Sequence, residues 1–185
     1  MHEASHLNQI FARRWAIPIL ASLRGSGGCK FITLTSNLEG SRAALKSSLA
    51  LLDTLGLVIP NPGHGHPMRP EYILTPRGSI VAEPAGALVH SLDKASSLDL
   101  GLKKWSMPTL YAVGAGSERF NTIAQSLGSA TDRALSLAIN DLQTMSMLDR
   151  RLIDDRPPRA IYAITRRARW LVPCLGDLQQ AMTSP

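Results

Sequence analysis

The sequence predicts a mainly α-helical fold with small β-hairpins, an α+β class, built twice within a chain of 185 residues. Three observations predict it. Apolar residues recur at helical spacing in several segments, short strand-like runs flank polar or Pro- and Gly-rich loops, and four sequence blocks return in the same order. A repeat of this length indicates two related domains, which we place at residues 1–92 and 98–185.

The repeat has a nearly constant offset. Three blocks return 90 residues later and one returns 89 residues later, so a single one-residue slip separates the two copies. The Trp-x-x-Pro-x-Leu block occurs at 15–20 and 105–110, the Gly-x-x-basic-Phe block at 27–34 and 116–123, the leucine-rich block at 45–52 and 135–142, and the Tyr-x-aliphatic-Thr block at 72–75 and 162–165.

The first copy predicts three helices and then two strands. Leu7, Ile10, Phe11 and Trp15 form the apolar face of an opening helix, which Pro18 should end or bend near residue 17. A second helix is predicted at 31–38. A third is predicted at 42–55, with Ser41 as its N-cap, followed by strands at 57–59 and 72–75.

A helix, a short turn, a capped helix and a two-stranded wing together make a winged helix-turn-helix. The second copy predicts the same order, with its recognition helix at 131–145, strands at 148–153 and 161–165, and a wing tip at 154–159. Further helices are predicted at 76–97 and 166–182. The first of these contains Pro84 and Gly86, so we expect a kinked or broken connector between the copies.

The motifs at 15–20, 27–34, 41–58 and 72–78 resemble those of HxlR-type winged-helix regulators, and the second copy matches the same pattern more loosely. That resemblance implies one winged helix per chain and dimerisation through the flanking helices. Two copies in one chain then predict an internal pseudo-dimer. The family commonly carries Arg and Lys around the middle leucine of its recognition helix, where this chain has Ser48 and Ala50, then Leu137 and Ala138.

Candidate DNA contacts are of two kinds. The first are the polar residues on the side of each recognition helix opposite its leucines, and the second are the basic residues of the wings. Arginine and asparagine suit the edges of guanine and adenine in the major groove, and wing arginines suit phosphates. A solvated helix face and pairing with nearby aspartates are the plain alternatives. The predicted DNA-binding residues are Ser41, Arg42, Lys46, Ser47, Arg69, Arg133, Ser136, Asn140, Arg156 and Arg159.

The resemblance also implies a small, aromatic effector that binds near the helices joining the two recognition units. The candidate residues for it are Arg14, Trp15, Trp105 and Tyr111, where an arginine would pair with an effector carboxylate. The alternative for the aromatic residues is a role as core or interface anchors.

Composition excludes several other classes. Cys29 and Cys174 are too far apart for a cysteine zinc module, and a disulfide scaffold or redox pair is not expected. No membrane-spanning run, secretory signal or catalytic motif occurs, so we expect a cytoplasmic protein that is not an enzyme and needs no cofactor. His64 and His66 alone are a weak metal signal.

The formal net charge of +6 makes a polyanion a reasonable partner, and each copy carries +3. The sequence therefore predicts a regulator that binds double-stranded DNA at imperfect inverted half-sites, with a repressor that a small effector releases as the favoured form. The alternative is a winged-helix module for protein–protein interaction without specific DNA binding. Whether the chain acts as a monomer with pseudo-twofold symmetry or as a homodimer stays open.

Overall fold

The computed structural model describes residues 5–63, 70–156 and 158–183. The elements in the first part of the chain are α1 (Ser5–Ile10), α2 (Ala16–Leu23), β1 (Cys29–Lys30), α3 (Phe31–Asn37), α4 (Arg42–Thr54), β2 (Val58–Pro60), β3 (Glu71–Leu74) and α5 (Pro76–Lys94). The elements in the second part are α6 (Leu98–Gly101), α7 (Ser106–Gly114), α8 (Phe120–Leu127), α9 (Asp132–Thr144), β4 (Leu148–Ile153), β5 (Arg159–Ile164) and α10 (Leu171–Thr183).

Helices α4 and α9 begin in the same way because each follows a hydroxyl N-cap. Ser41 Oγ accepts a hydrogen bond from the Ala44 N–H at 3.2 Å, and Thr131 Oγ1 accepts one from the Ala134 N–H at 3.2 Å. One face of each helix packs in the core. That face consists of Leu45, Ser48, Leu49 and Leu52 in α4 and of Leu135, Ala138, Ile139 and Leu142 in α9.

The strands after these helices pair as antiparallel sheets. In the first, β3 lies between β1 and β2, with Val58 opposite Leu74; in the second, β4 pairs with β5, with Leu148 opposite Ile164. The second sheet has two strands among the described residues, where the first has three. One hydrogen bond lies where β1 pairs with β3 in the first sheet: the Tyr162 N–H donates to the Glu118 carbonyl at 2.8 Å. The two-residue strand β1 was not predicted from sequence, because pairing with β3 is what defines it.

One hydrogen-bonded corner occurs in both parts of the chain. Thr75 Oγ1 donates to the Gly56 carbonyl at 2.7 Å, and Thr165 Oγ1 donates to the Ser146 carbonyl at 2.7 Å. Gly56 and Ser146 both have positive φ, 68° and 55°. A serine in the left-handed region is uncommon, and here the corner imposes the same backbone on either residue.

Long helices α5 and α10 pack on each other, and their apolar faces belong to a single hydrophobic core that includes residues from both parts of the chain. Helix α1 also packs on α10, where Gln179 Oε1 accepts a hydrogen bond from the Leu7 N–H at 3.0 Å. The N-terminal helix therefore joins the first part of the chain to the second.

The prediction for Pro18 is wrong, and so is the possibility of a break at Pro84. Pro18 does not end the opening helix: α1 ends at Ile10, and Pro18 lies in the first turn of α2, where a missing backbone N–H costs no helical hydrogen bond. Pro84 does not break the connector, because α5 runs from Pro76 to Lys94 without interruption. The carbonyl that lacks a helical donor because of Pro84 belongs to Ile80, a residue that is 51 % exposed.

Candidate nucleic-acid interface

The outer face of α4 carries the first set of predicted contacts. Arg42 and Lys46 are exposed and Ser47 is half-buried. Lys46 Nζ lies 5.9 Å from the centre of the Phe31 ring, which places its ammonium group beside the start of α3. Ser41 is exposed, with its hydroxyl engaged as the N-cap. These four residues therefore lie together at the N-terminal end and outer side of α4.

The outer face of α9 differs in chemistry. Arg133, Ser136 and Asn140 are exposed, as predicted. Between them lies Leu137, whose side chain is 58 % exposed although the preceding and following apolar residues of the helix are buried. This residue was not among the predicted contacts, because only polar residues were selected from the side of the helix opposite Leu135, Ile139 and Leu142.

Two positions that were compared with the family pattern turn out to be core positions. Ser48 is only 1 % exposed, and its hydroxyl donates to the Ala44 carbonyl at 2.9 Å. Ala138, which lies 90 residues later, is only 3 % exposed. Neither side chain is available to a partner, so their lack of charge says nothing about the outer face of either helix.

The second wing is basic, and one of its arginines is paired with an aspartate of the same wing. Arg150 and Arg151 in β4 and Arg156 at the wing tip are exposed. Arg159 Nε lies 2.5 Å from Asp155 Oδ2, which is the aspartate pairing that sequence reasoning gave as the alternative for this wing. Of the first wing, residues 64–69 lie outside the described residues, and with them His64, His66 and the predicted contact Arg69.

The four predicted effector residues do not form one site. Arg14 and Trp15 line a cavity of about 660 Å³, and Arg14 forms an ion pair with Asp99 there. Trp105 lines a separate cleft of about 230 Å³ beside α9, with the Lys104 ammonium 4.5 Å from its ring centre. Tyr111 lies near Gly176 of α10. The carboxylate that Arg14 was expected to receive from an effector is supplied by the protein itself.

Both cysteines are free thiols. Burial raises the pKa of Cys29, with a smaller contribution from the Glu71 carboxylate, and burial raises the pKa of Cys174 ahead of the nearby Asp177. A raised pKa leaves less thiolate at neutral pH and therefore a less reactive sulfur.

The described part of the chain contains neither a cluster of metal-ligating side chains nor a membrane-spanning helix. Over residues 5–63, 70–156 and 158–183, no group of three or more His, Cys, Asp or Glu side chains is placed to hold a metal ion. In the same ranges, no helix combines the length and the apolar character needed to cross a bilayer.

The second part of the chain is similar to a known family of proteins. Residues 100–184 match the HxlR-like helix-turn-helix family. The chain is 28 % identical over 87 residues to the uncharacterized HTH-type transcriptional regulator YvaP of Bacillus subtilis, a match covering 47 % of this chain and 81 % of that relative. It is also 28 % identical over 94 residues to the uncharacterized HTH-type transcriptional regulator sll1512 of Synechocystis, covering 51 % of this chain and 70 % of that relative.

Among solved structures, the chain is similar to the reduced form of the transcriptional regulator YodB from B. subtilis, with a TM-score of 0.41 and 20 % sequence identity over 46 % of this chain and 83 % of that one. The family match at 100–184 includes α8, α9, β4 and β5, which are the helix-turn-helix and wing described above. Residues 100–184 are thus similar to an HxlR-like helix-turn-helix.

Proposed function

We propose that this chain is a sequence-specific regulator of transcription that binds double-stranded DNA through two winged-helix copies, residues 1–92 and 98–185, arranged as an internal pseudo-dimer. The observation that carries the proposal is the HxlR-like helix-turn-helix at 100–184, with exposed Arg133, Ser136 and Asn140 on the outer face of α9. The names of its relatives, all HTH-type transcriptional regulators, support the same function.

Recurring backbone details support a second copy in residues 1–92. The Leu57 N–H donates to the Leu52 carbonyl at 2.9 Å, and the Met147 N–H donates to the Leu142 carbonyl at 2.8 Å. The hydroxyl N-caps and the hydrogen-bonded corners recur at the same offset of 90 residues. In addition, YvaP matches over 81 % of its own length but over only 47 % of this chain, as expected if one relative corresponds to one copy.

The contact between α5 and α10 supports a pseudo-twofold axis. Residues on such an axis meet their own equivalents, because the same patch faces itself. Cys174 Sγ donates to the Pro84 carbonyl at 3.7 Å, and these two residues are 90 positions apart, which is the repeat offset. Away from the axis the contacts are only approximately reciprocal. The Arg77 guanidinium donates to the Met182 carbonyl at 2.6 Å, and that of its counterpart Arg167 donates at 3.1 Å to the Ala95 carbonyl, three residues beyond the counterpart of Met182.

Each copy would place its capped helix in a major groove and its wing against the backbone. Two recognition helices can enter successive major grooves when they lie about 34–36 Å apart. The proposed base and phosphate contacts are the residues that the sequence predicted, namely Ser41, Arg42, Lys46, Ser47, Arg69, Arg133, Ser136, Asn140, Arg156 and Arg159. Because Lys46 in α4 corresponds to Ser136 in α9, the two half-sites should be related but imperfect inverted repeats.

The form of regulation is part of the proposal. Repression needs only occupancy of a promoter, so a repressor released by a small effector is the favoured form. Such an effector must bind the DNA-competent and DNA-incompetent arrangements with different affinity.

Footprinting on a selected duplex tests the two-groove arrangement, with light scattering to count the chains in the complex. We expect two protected segments about one helical turn apart. Arg42→Ala and Arg133→Ala should each weaken specific binding by about 1–3 kcal/mol. Arg24→Ala is the matched control, since this exposed arginine pairs with Glu83 at 2.6 Å and lies on neither recognition helix.

Several outcomes would contradict the proposal. Protection of one short half-site per chain would remove the two-groove arrangement, and unchanged affinity in both arginine variants would remove the assignment of the recognition helices. A lack of binding to random duplex DNA at low salt would favour a protein-interaction module instead. The specific observation behind that second function is the pair of exposed apolar side chains Leu137 and Leu152, 58 % and 68 % exposed.

A further inference from the structure

A cavity of about 660 Å³ lies where the first copy meets the start of the second. Its walls come from α2, the turn between α3 and α4, the second half of α5, and α6. The volume lies within the range of about 300–1,000 Å³ that is usual for small-molecule sites. Its apolar lining includes Trp15, Pro18, Ala21, Val89, Leu98 and Leu102.

The charged groups around this cavity are mainly acidic. Glu39, Asp93 and Asp99 line it, against a single cation, Arg14. Arg14 is already paired with Asp99, whereas Glu39 and Asp93 have no ion-pair partner among the described residues. Two carboxylates are thus uncompensated at the edge of an apolar cavity. An anion would be repelled there, and a cation with an apolar body would be complementary to both features.

The aromatic wall also suits a cation. The Arg14 guanidinium carbon lies 5.6 Å from the centre of the Trp15 ring, so this indole already contacts one cation, which belongs to the protein itself. Tryptophan has the strongest attraction for cations among the aromatic side chains, and organic ammonium ions are bound by aromatic and acidic groups together.

We propose that this cavity is a regulatory site for a small organic ammonium ion with an aromatic or aliphatic body. The ammonium would lie between Glu39 and Asp93, and the apolar body would pack along Trp15 and Leu102. The regulatory consequence rests on the proposed DNA-binding function, whereas binding of the cation does not.

Trp15 connects the cavity to α4. A Cβ added to Gly40 would lie 2.7 Å from Trp15 Cε2, so the indole edge packs directly on the backbone of Gly40. Gly40 immediately precedes Ser41, the N-cap of α4. A ligand that moves the Trp15 ring must therefore move the backbone at the start of this helix.

The opposite wall leads toward α9. Leu98, Asp99 and Leu102 line the cavity from the α6 segment, and the next residue, Lys103, forms an ion pair with Asp141 of α9 at 2.9 Å. One occupant would therefore contact the supports of both proposed recognition helices. Their relative position is the quantity that affinity for two half-sites depends on.

Binding is tested with the whole protein by calorimetry, using 2-phenylethylammonium as the probe and 3-phenylpropanoate as a control of similar shape and opposite charge. We expect the ammonium to bind at least tenfold more tightly than the carboxylate. The double variant Glu39→Gln/Asp93→Asn should weaken ammonium binding at least tenfold. Both residues are exposed, so the fold should survive, and Glu118→Gln/Asp177→Asn is the charge-matched control away from the cavity.

Equal or tighter binding of the carboxylate would overturn the site, as would ammonium binding that the double variant leaves unchanged or that is undetectable. The regulatory claim is tested separately, by measuring the affinity of the protein for the footprinted duplex at fixed ionic strength. A shift of at least threefold with saturating ammonium, absent in the double variant, is expected, and no shift would overturn it. Ammonium binding by a chain that binds no DNA would contradict the proposed function while leaving the cation site in place.

Discussion

The two copies that we propose have matching backbone features but carry their positive charge in different places. Helix α4 has Arg42 and Lys46 near its N-terminal end, and its acidic residue, Asp53, lies in the last turn. Helix α9 has Arg133 beside Asp132, with Asp141 further along. The second wing instead carries four arginines, Arg150, Arg151, Arg156 and Arg159. In the proposed complex, helix α4 would supply more of the charge in the first copy, and the wing would supply more in the second.

The copies also differ at the start of their long helices. Helix α5 begins at Pro76, directly after β3, whereas residues 166–170 form turns and α10 begins only at Leu171. Gly78 explains the difference, because a Cβ at this position would lie 1.8 Å from the Leu57 carbonyl oxygen. Its counterpart 90 residues later is Ala168, which is fully buried and carries that Cβ. The interface helix thus begins earlier in the copy that lacks a Cβ at this position, and it begins there with a proline, Pro76, where the other copy has Arg166.

The largest expected effect follows from Gly78→Ala. The new methyl group meets a backbone oxygen that cannot move without disturbing β2, so we expect a loss of about 3 kcal/mol or more in the free energy of unfolding. For a chain of this size, the melting temperature should fall by about 6–12 °C.

Gly176→Ala in α10 is the control for this substitution. A Cβ there would make an ordinary contact at 3.9 Å with Tyr111, and alanine favours a helix, so stability should be unchanged or slightly higher. If Gly78→Ala melted at the wild-type temperature, the close approach of α5 to Leu57 would not explain the early start of that helix.

The second prediction separates the arginines of the second wing. Arg156→Ala should weaken DNA binding about tenfold, equally on all sequences, and should reduce the salt slope by about one, as expected for a phosphate contact. Arg159→Ala should weaken binding less, because Asp155 already pairs with this guanidinium at 2.5 Å. Asp155→Asn should tighten binding by freeing Arg159. Equal losses in the two arginine variants would show that the aspartate pair does not persist on DNA.

The smallest effect concerns Leu137, for which the first copy has Ser47. An exposed leucine on a groove-facing helix can contact only apolar groups, and the thymine methyl is the apolar group of the major groove. Replacing one thymine by deoxyuridine in the half-site bound by α9 should weaken binding by about 0.8 kcal/mol, or roughly fourfold. Leu137→Ser should abolish that discrimination.

The half-site bound by α4 provides the internal control for the thymine experiment. The same replacement at the equivalent base should change affinity little, because Ser47 presents a hydroxyl instead of an apolar surface. If Leu137→Ser still binds the thymine site more tightly than the deoxyuridine site, another residue makes the methyl contact. Leu137 would then have no role in recognising the base.

Much of the local structure could be predicted from sequence. The strand at 148–153 has the predicted bounds, and the predicted helix at 42–55 differs from α4 by one residue. These elements depend on periodicity and on a capping side chain a few residues away, which a sequence displays directly. The prediction for Pro18 failed because the effect of a proline depends on its position within a helix, and that position was not known from the sequence.

Of the candidate site, sequence supplied the charged residues on α4 and α9 but not their surroundings. The exposure of Leu137, the burial of Ser48 and the pairing of Arg159 with Asp155 depend on which face each element turns to the core. Periodicity did separate Ser47 from Ser48, because adjacent helical positions differ by about 100° and only Ser48 falls on the leucine face.

The sequence by itself determined the recurrence of the four blocks, the hydroxyl caps, the balance of charge and most of the helices and strands, though not β1 or the division between α1 and α2. Each of these depends on residues close together in the chain or on simple counting. Only the tertiary structure decided that α5 and α10 meet across the chain with Cys174 against Pro84, and that Trp15, Glu39 and Asp93 enclose one cavity. Contacts between residues far apart in sequence are chosen by packing, which the local pattern of side chains does not specify.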